Sequence, residues 1–122
     1  MDAQKPCPFC AVLVNDELKQ VIKSSKNFTA IRKLKQTKNV NFLIISNTHV
    51  KNLKMGSENS GTIDMNELIA FINQLSMMGP ETNKQKEKGW SIHINNGEEA
   101  GQEVFHFHAH ITSQADRKTW GL

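Results

Sequence analysis

The sequence has no tyrosine, only three prolines and two cysteines, and seven glycines among 122 residues. It also has no apolar run near the ~18 residues that a membrane helix needs, so a membrane-spanning role is not expected. The amino-terminal Met1-Asp2-Ala3-Gln4-Lys5-Pro6 has no apolar segment of the secretory type. Two cysteines cannot form a disulfide framework, and a chain this long can bury a core without one. These deficits lead to the expectation of a soluble, cytoplasmic protein folded as a single domain over residues 1–122. Fifteen basic and twelve acidic residues give a net charge of +3, which steers anions weakly and selects no ligand class. The lysines fall in three groups, Lys19 to Lys26, Arg32 to Lys38 and Lys84 to Lys88, without interleaved aromatics for stacking on bases. No nucleic-acid partner is therefore expected.

What is present is concentrated in a few residues. Cys7-Pro8-Phe9-Cys10 has the C-x-x-C spacing that allows two thiolates to share one tetrahedral zinc. Thiol redox sites use the same spacing, but they follow a strand, and only six residues precede this motif. A zinc site needs further ligands, which the five histidines can supply.

Val21-Ile22-Lys23 and Phe28-Thr29-Ala30-Ile31, separated by the turn-prone Ser24-Ser25-Lys26-Asn27, predict a hairpin. Asn41 to Ser46 predicts a third strand, with Phe42-Leu43-Ile44-Ile45 continuous enough to be buried on both faces. Lys54 to Gly61 reads as a loop. A helix should begin at Asp64, as Asp64-Met65-Asn66-Glu67 resembles a capping box. Its apolar stripe is Leu68, Ile69, Ile72, Leu75 and Met78, and Gly79-Pro80 ends it. Glu81 to Lys88 reads as an exposed connection. Trp90, Ile92 and Ile94 alternate with Ser91, His93 and Asn95, and a loop, Asn96 to Gly101, leads to a strand over Val104 to Ile111.

In that last strand His106, His108 and His110 alternate with Phe105, Phe107, Ala109 and Ile111. Period-two geometry sends the histidines to one face and the apolar residues to the core. Neighbouring histidines at i and i+2 lie about 6.5–7 Å apart, and the outer pair about 13 Å apart, too far to share a metal. A mixed scheme fits better. One histidine at the edge of the stripe joins the cysteines, and the next is free to attack phosphorus. The remaining one can neutralise charge on phosphoryl oxygens, with Gly97 and Gly101 admitting backbone N–H groups nearby.

The stretch from Asn95 to His110, with Asn95-Asn96-Gly97, Ala100-Gly101-Gln102 and His106-Phe107-His108-Ala109-His110, closely resembles the signature of the histidine-triad (HIT) superfamily. Cys7-Pro8-Phe9-Cys10 and the run Phe42 to Val50 resemble it as well, so most of the chain is covered. The resemblance implies an α+β fold: a five-stranded antiparallel sheet with packed helices, usually a homodimer. It implies that His108 is the nucleophile and that His110 positions the phosphoryl group. Asn95, Gly101, Gln102, Glu103 and Val104 would then line the nucleotide site with the two histidines. Zinc, one structural ion per chain, would be held by Cys7, Cys10, His49 and His106.

The implied activity is hydrolysis or transfer at the α-phosphate of nucleotide conjugates of the nucleoside phosphoramidate type, through a nucleotidyl-histidine. A dinucleoside polyphosphate hydrolase, or a nucleotide-binding protein with little turnover, are the alternatives. Some positions depart from the family pattern. Lys33 stands where an acidic residue usually meets the ribose, and Val40-Asn41 replaces the usual Gly-His or Thr-His. Ser46 replaces a proline, and Glu103 replaces a frequent serine. His93 has no role in this scheme.

Overall fold

The computed structural model describes residues 7–53, 62–80 and 88–122. The expected loop at Lys54 to Gly61, the stretch Met1–Pro6 and most of the Glu81–Lys88 connection lie outside the described residues. The described elements are α1 (Pro8–Val14), β1 (Val21–Ser24), β2 (Phe28–Arg32), β3 (Asn39–Ser46), α2 (Met65–Ser76), β4 (Ser91–His93) and β5 (His108–Asp116). Short 3-10 turns occupy Glu98–Ala100 and Arg117–Trp120. Among the described residues, no helix is long and apolar enough to cross a membrane.

The five strands form one antiparallel sheet in the order β1-β2-β3-β5-β4. The expected hairpin is β1–β2, closed where the Ser25 N–H donates to the Phe28 carbonyl. β3 starts two residues earlier than the sequence suggests, so Asn39 and Val40 also lie inside the strand. Directly opposite residues share a face, which gives one row of Ala30, Ile44 and Ala109 and another of Phe42, Ile111 and Ile92. These rows carry the core, together with Phe28, Val40, Phe107 and Trp120 and the α2 residues Leu68, Phe71, Ile72 and Leu75. Ile45 is fully buried on the opposite face while Leu43 there is half-buried, so the apolar run of β3 is covered on both sides only toward its end.

Asp64 caps α2 as expected, its carboxylate accepting from the Glu67 N–H at 3.0 Å. The Glu67 carboxylate completes no capping box. It accepts from Ser25 Oγ and from the Asn27 backbone and side chain, at 2.6 to 2.9 Å, and so ties the helix to the β1–β2 turn. The helix stripe needs a correction. Phe71 belongs to it, while Ile69 and Met78 are more than a third exposed. At 100° per residue, Leu68, Phe71, Ile72 and Leu75 form the narrower arc that faces the sheet, and Ile69 falls outside it. Gly79 does more than stop the helix. A Cβ there would lie 1.9 Å from the Thr119 carbonyl oxygen, so only glycine lets the chain pass the Arg117–Trp120 turn, whose Trp120 is buried against Phe42.

The histidine strand is also displaced from where its alternation suggests, starting four residues later and running on to Asp116. β5 starts at His108, and β4 has only three residues. Phe105 is therefore not in the core: it lies before the strand, 38% exposed, whereas Phe107, Ala109 and Ile111 are buried as expected. The bend over residues 104–106 frees Phe105 from the pleat and allows His106 to turn into the interior.

Candidate functional site

Three segments far apart in sequence meet at the start of β5. The first is α1, whose N-cap is Cys7 and whose second helical residue is Phe9. The Cys7 Sγ accepts from the Cys10 N–H at 3.4 Å, so the C-x-x-C spacing folds both sulfurs to one side. The second is the turn after β3, where Ser46 Oγ donates to the Thr48 carbonyl at 2.7 Å and the buried Val50 accepts from the Phe107 N–H at 2.6 Å. This turn carries His49. The third is the bend carrying His106, which has no solvent exposure.

One ligand atom from each of Cys7, Cys10, His49 and His106 lies within 4.8 Å of the others. His106 Nδ1 is 3.3 Å from Cys7 Sγ, 3.5 Å from Cys10 Sγ and 3.1 Å from His49 Nδ1, and Cys10 Sγ is 3.2 Å from His49 Nδ1. A tetrahedral zinc with Zn–N of ~2.0–2.1 Å and Zn–S of ~2.3 Å has ligand–ligand edges of about 3.3–3.8 Å. The cluster thus has the donor chemistry and nearly the size for such an ion. The other ring nitrogen of His106, Nε2, is 2.7 Å from the Ser46 carbonyl and can only donate to it. That contact directs the Nδ1 lone pair into the cluster, the usual outer support of a metal-binding imidazole. Burial lowers the His106 pKa from its ordinary value, keeping the ring neutral as a ligand must be. In the metal-free protein, burial and then Cys7 push the Cys10 thiol up to about 11, so metal must displace its proton.

His108 is adjacent to the cluster but outside it. Its Nδ1 lies 2.8 Å from the His106 carbonyl, an acceptor only, so Nδ1 carries the proton and Nε2 keeps its lone pair. Phe9 packs against its ring at a centroid distance of 4.9 Å, and against His106 at 5.7 Å. The C-x-x-C start of α1 therefore shapes the surroundings of both histidines. The His110 ring is 5.4 Å from that of His108. Burial, then the charges of Lys33, His108 and His93, lower the His110 pKa from its ordinary value.

The remaining expected site residues lie in the loop that delivers the chain to the triad. Asn95 Nδ2 donates to the Ala100 carbonyl at 2.5 Å, and Gly101 takes a left-handed φ of 85° that glycine adopts without strain. The buried Gln102 is fully engaged. Its amide donates to the Lys51 and Val104 carbonyls, and its oxygen accepts from the Gly97 N–H and from Asn52 Nδ2. Glu103 is exposed and Val104 half-buried. The structure thus brings together the four residues expected to bind metal, sets His108 and His110 side by side, and uses the Gln102 side chain to brace the loop. Sequence reasoning missed Phe9 as a neighbour of His108. Its place between the two cysteines was the available signal.

The HIT domain family matches residues 15–117. A HIT family hydrolase from Clostridium thermocellum is similar at 26% identity and a TM-score of 0.62, over 92% of this chain and 93% of that one. A zinc-bound histidine triad family protein from Mycobacterium smegmatis is similar at 27% identity and a TM-score of 0.61, over 89% of this chain and 75% of that one. A HIT family hydrolase from Legionella pneumophila shares the fold at 24% identity and a TM-score of 0.60, covering 91% and 95% of the two chains. No curated protein sequence matches. With its matched span, its antiparallel sheet and its histidine row, the chain belongs to the HIT domain family.

Proposed function

We propose that the protein is a nucleotidyl hydrolase or transferase acting on the α-phosphate of nucleotide conjugates, of the nucleoside phosphoramidate type. The observation that carries this reading is the 2.8 Å contact from His108 Nδ1 to the His106 carbonyl, which fixes the tautomer with a free lone pair on Nε2. Nε2 attacks the α-phosphorus, the P–N bond to the leaving amine breaks, and the amine departs with a proton from water. Water then attacks the nucleotidyl-histidine. The Nε2–P bond breaks and a nucleoside monophosphate is released. His110, one ring away, orients the phosphoryl oxygens. Asn95, Gly101, Gln102, Glu103 and Val104 border the phosphate; both the side chain and the N–H of Gln102 are engaged within the loop, so Gln102 holds the loop in shape there.

We assign zinc, one per chain, to Cys7, Cys10, His49 and His106. The donor set and its spacing support this, as does the zinc-bound relative. Four protein donors leave no open position, so zinc would supply structure rather than Lewis acidity. The reading includes one domain over residues 1–122, a homodimer, and a cytoplasmic location, where thiols stay reduced. A dinucleoside polyphosphate is the second substrate reading, favoured by the charge of Lys33 beside His110.

The test is rapid quenching during turnover of adenosine 5′-phosphoramidate. An acid-labile nucleotidyl adduct should form and map to His108. Full turnover by His108→Ala, or its adduct at another residue, would overturn the reading. Binding of nucleotide without any adduct would point to a binding protein with little turnover.

A further inference from the structure

His93 lies on β4, and the β4–β5 register sets it directly opposite His110. Its ring is 6.1 Å from that of His110 at an interplanar angle of 62°. With the 5.4 Å spacing between His108 and His110, three imidazoles form a row that starts at the nucleophile and turns across the sheet to its open edge. Lys33 follows the last residue of β2, and its charge reaches His110 from the other side. Lys33 and His110 are half-buried, while His93 is exposed, so the row opens to solvent at the β4 end.

Burial and the nearby Lys33 both oppose a proton on His110, whose ring also meets that of His93. A cation placed so is costly unless an anion lies beside it. Lysine offers only donors, and a protonated imidazole offers two. A dianionic phosphoryl group would turn this repulsion into an attraction, and its oxygens could accept from all three side chains.

We propose that Lys33, His93 and His110 form a second anion subsite that holds a further phosphoryl group of the substrate, apart from the one His108 attacks. The inference rests on the nucleotide reading of the His108 site and narrows it to nucleotides with two phosphoryl groups. The second group comes either from a polyphosphate chain or from a phosphorylated ribose, and both present the same dianion.

The test is calorimetric binding of AMP, ADP and adenosine 3′,5′-bisphosphate at fixed ionic strength. The proteins are the wild type, Lys33→Gln, His93→Asn and the nearby control Lys35→Gln. At least one two-phosphate ligand should bind the wild type about tenfold more tightly than AMP, a gain within reach of one or two charge-assisted hydrogen bonds. ADP gaining identifies a polyphosphate chain, and the bisphosphate gaining identifies a ribose phosphate. Lys33→Gln and His93→Asn should each cut the gain below about threefold while AMP affinity stays within about twofold. Lys35→Gln should keep the gain.

The subsite is overturned if neither ligand outdoes AMP or if the gain survives in both site variants. Equal loss in Lys35→Gln also overturns it, because the effect is then the general field of the lysines. AMP failing to bind the wild type overturns the nucleotide reading itself, a result distinct from these. Melting curves of each variant confirm that the fold is intact.

Discussion

Removing metal from the Cys7, Cys10, His49 and His106 cluster should lower the melting temperature by an amount that the size of the chain sets. Free zinc held at 100 times its Kd stabilises the folded state by about 2.7 kcal/mol. At ~2.1 cal/mol/K per residue, 122 residues have an unfolding entropy of about 0.26 kcal/mol/K, so the shift should be about 10 °C. Four of the six ligand edges are 3.1 to 3.5 Å and all lie within 4.8 Å, so the donors are already gathered before an ion binds. Cys10→Ser removes a donor within 3.5 Å of both His49 and His106. If affinity falls a hundredfold, the same free zinc equals one Kd and contributes only about 0.4 kcal/mol, about 2 °C. The assay is scanning calorimetry with chelator or metal buffer, and cobalt substitution reports tetrahedral geometry and thiolate ligation by its visible bands. Binding must expel the Cys10 proton, so at fixed zinc the shift should shrink as pH falls. A wild-type melting temperature indifferent to zinc, or a full shift retained in Cys10→Ser, would refute the four-ligand reasoning.

Three further predictions concern the residues around the cluster. Phe9→Ala removes one ring contact to His108 and one to His106, each worth roughly 0.5–1.5 kcal/mol, so kcat should fall about threefold to tenfold with zinc content retained. Unchanged kcat in a zinc-replete variant would show that Phe9 does not position His108. Gln102→Ala strips partners from the Gly97 N–H and the Lys51 carbonyl and should cost about 2–4 kcal/mol in urea unfolding, while a loss under 1 kcal/mol would mean water replaces the clamp. His110 has a lowered folded pKa, so its contribution to stability is complete above the ordinary histidine value of 6.5 and is lost as pH falls through the folded pKa. His110→Asn should therefore flatten the decline in melting temperature below pH 6.5 relative to wild type, and parallel curves would contradict the assignment.

Much of the sheet was readable because its signals are local. The turn at Ser24 to Asn27, the apolar run of β3 and the Asp64 cap each act over a few residues, and each appears where expected. Misses arose where distant packing overrides local pattern. The alternation from Val104 predicted a strand, but contacts to Val50 and to the C-x-x-C start of α1 hold residues 104–106 in a bend. Helix periodicity could not choose between Ile69 and Phe71, since the width of the buried arc depends on what the sheet presents. The Arg117–Trp120 turn gave little signal, and Trp120 is buried because Phe42 and the Gly79 backbone are there to receive it.

The chemical inventory was legible in the chain alone: two thiols at metal-binding spacing and three histidines in strict alternation. Spacing of this kind encodes which side chains can face the same way, because the pleat has a period of two. The surroundings of each imidazole came only from the tertiary contacts. The Ser46 carbonyl turns His106 toward the cysteines, the His106 carbonyl leaves Nε2 of His108 free, and the β4 register brings His93 to His110. Those assignments depend on a hydrogen-bond acceptor or a strand partner remote in sequence. A histidine's tautomer and neighbours are properties of the folded surroundings, not of its place in the chain.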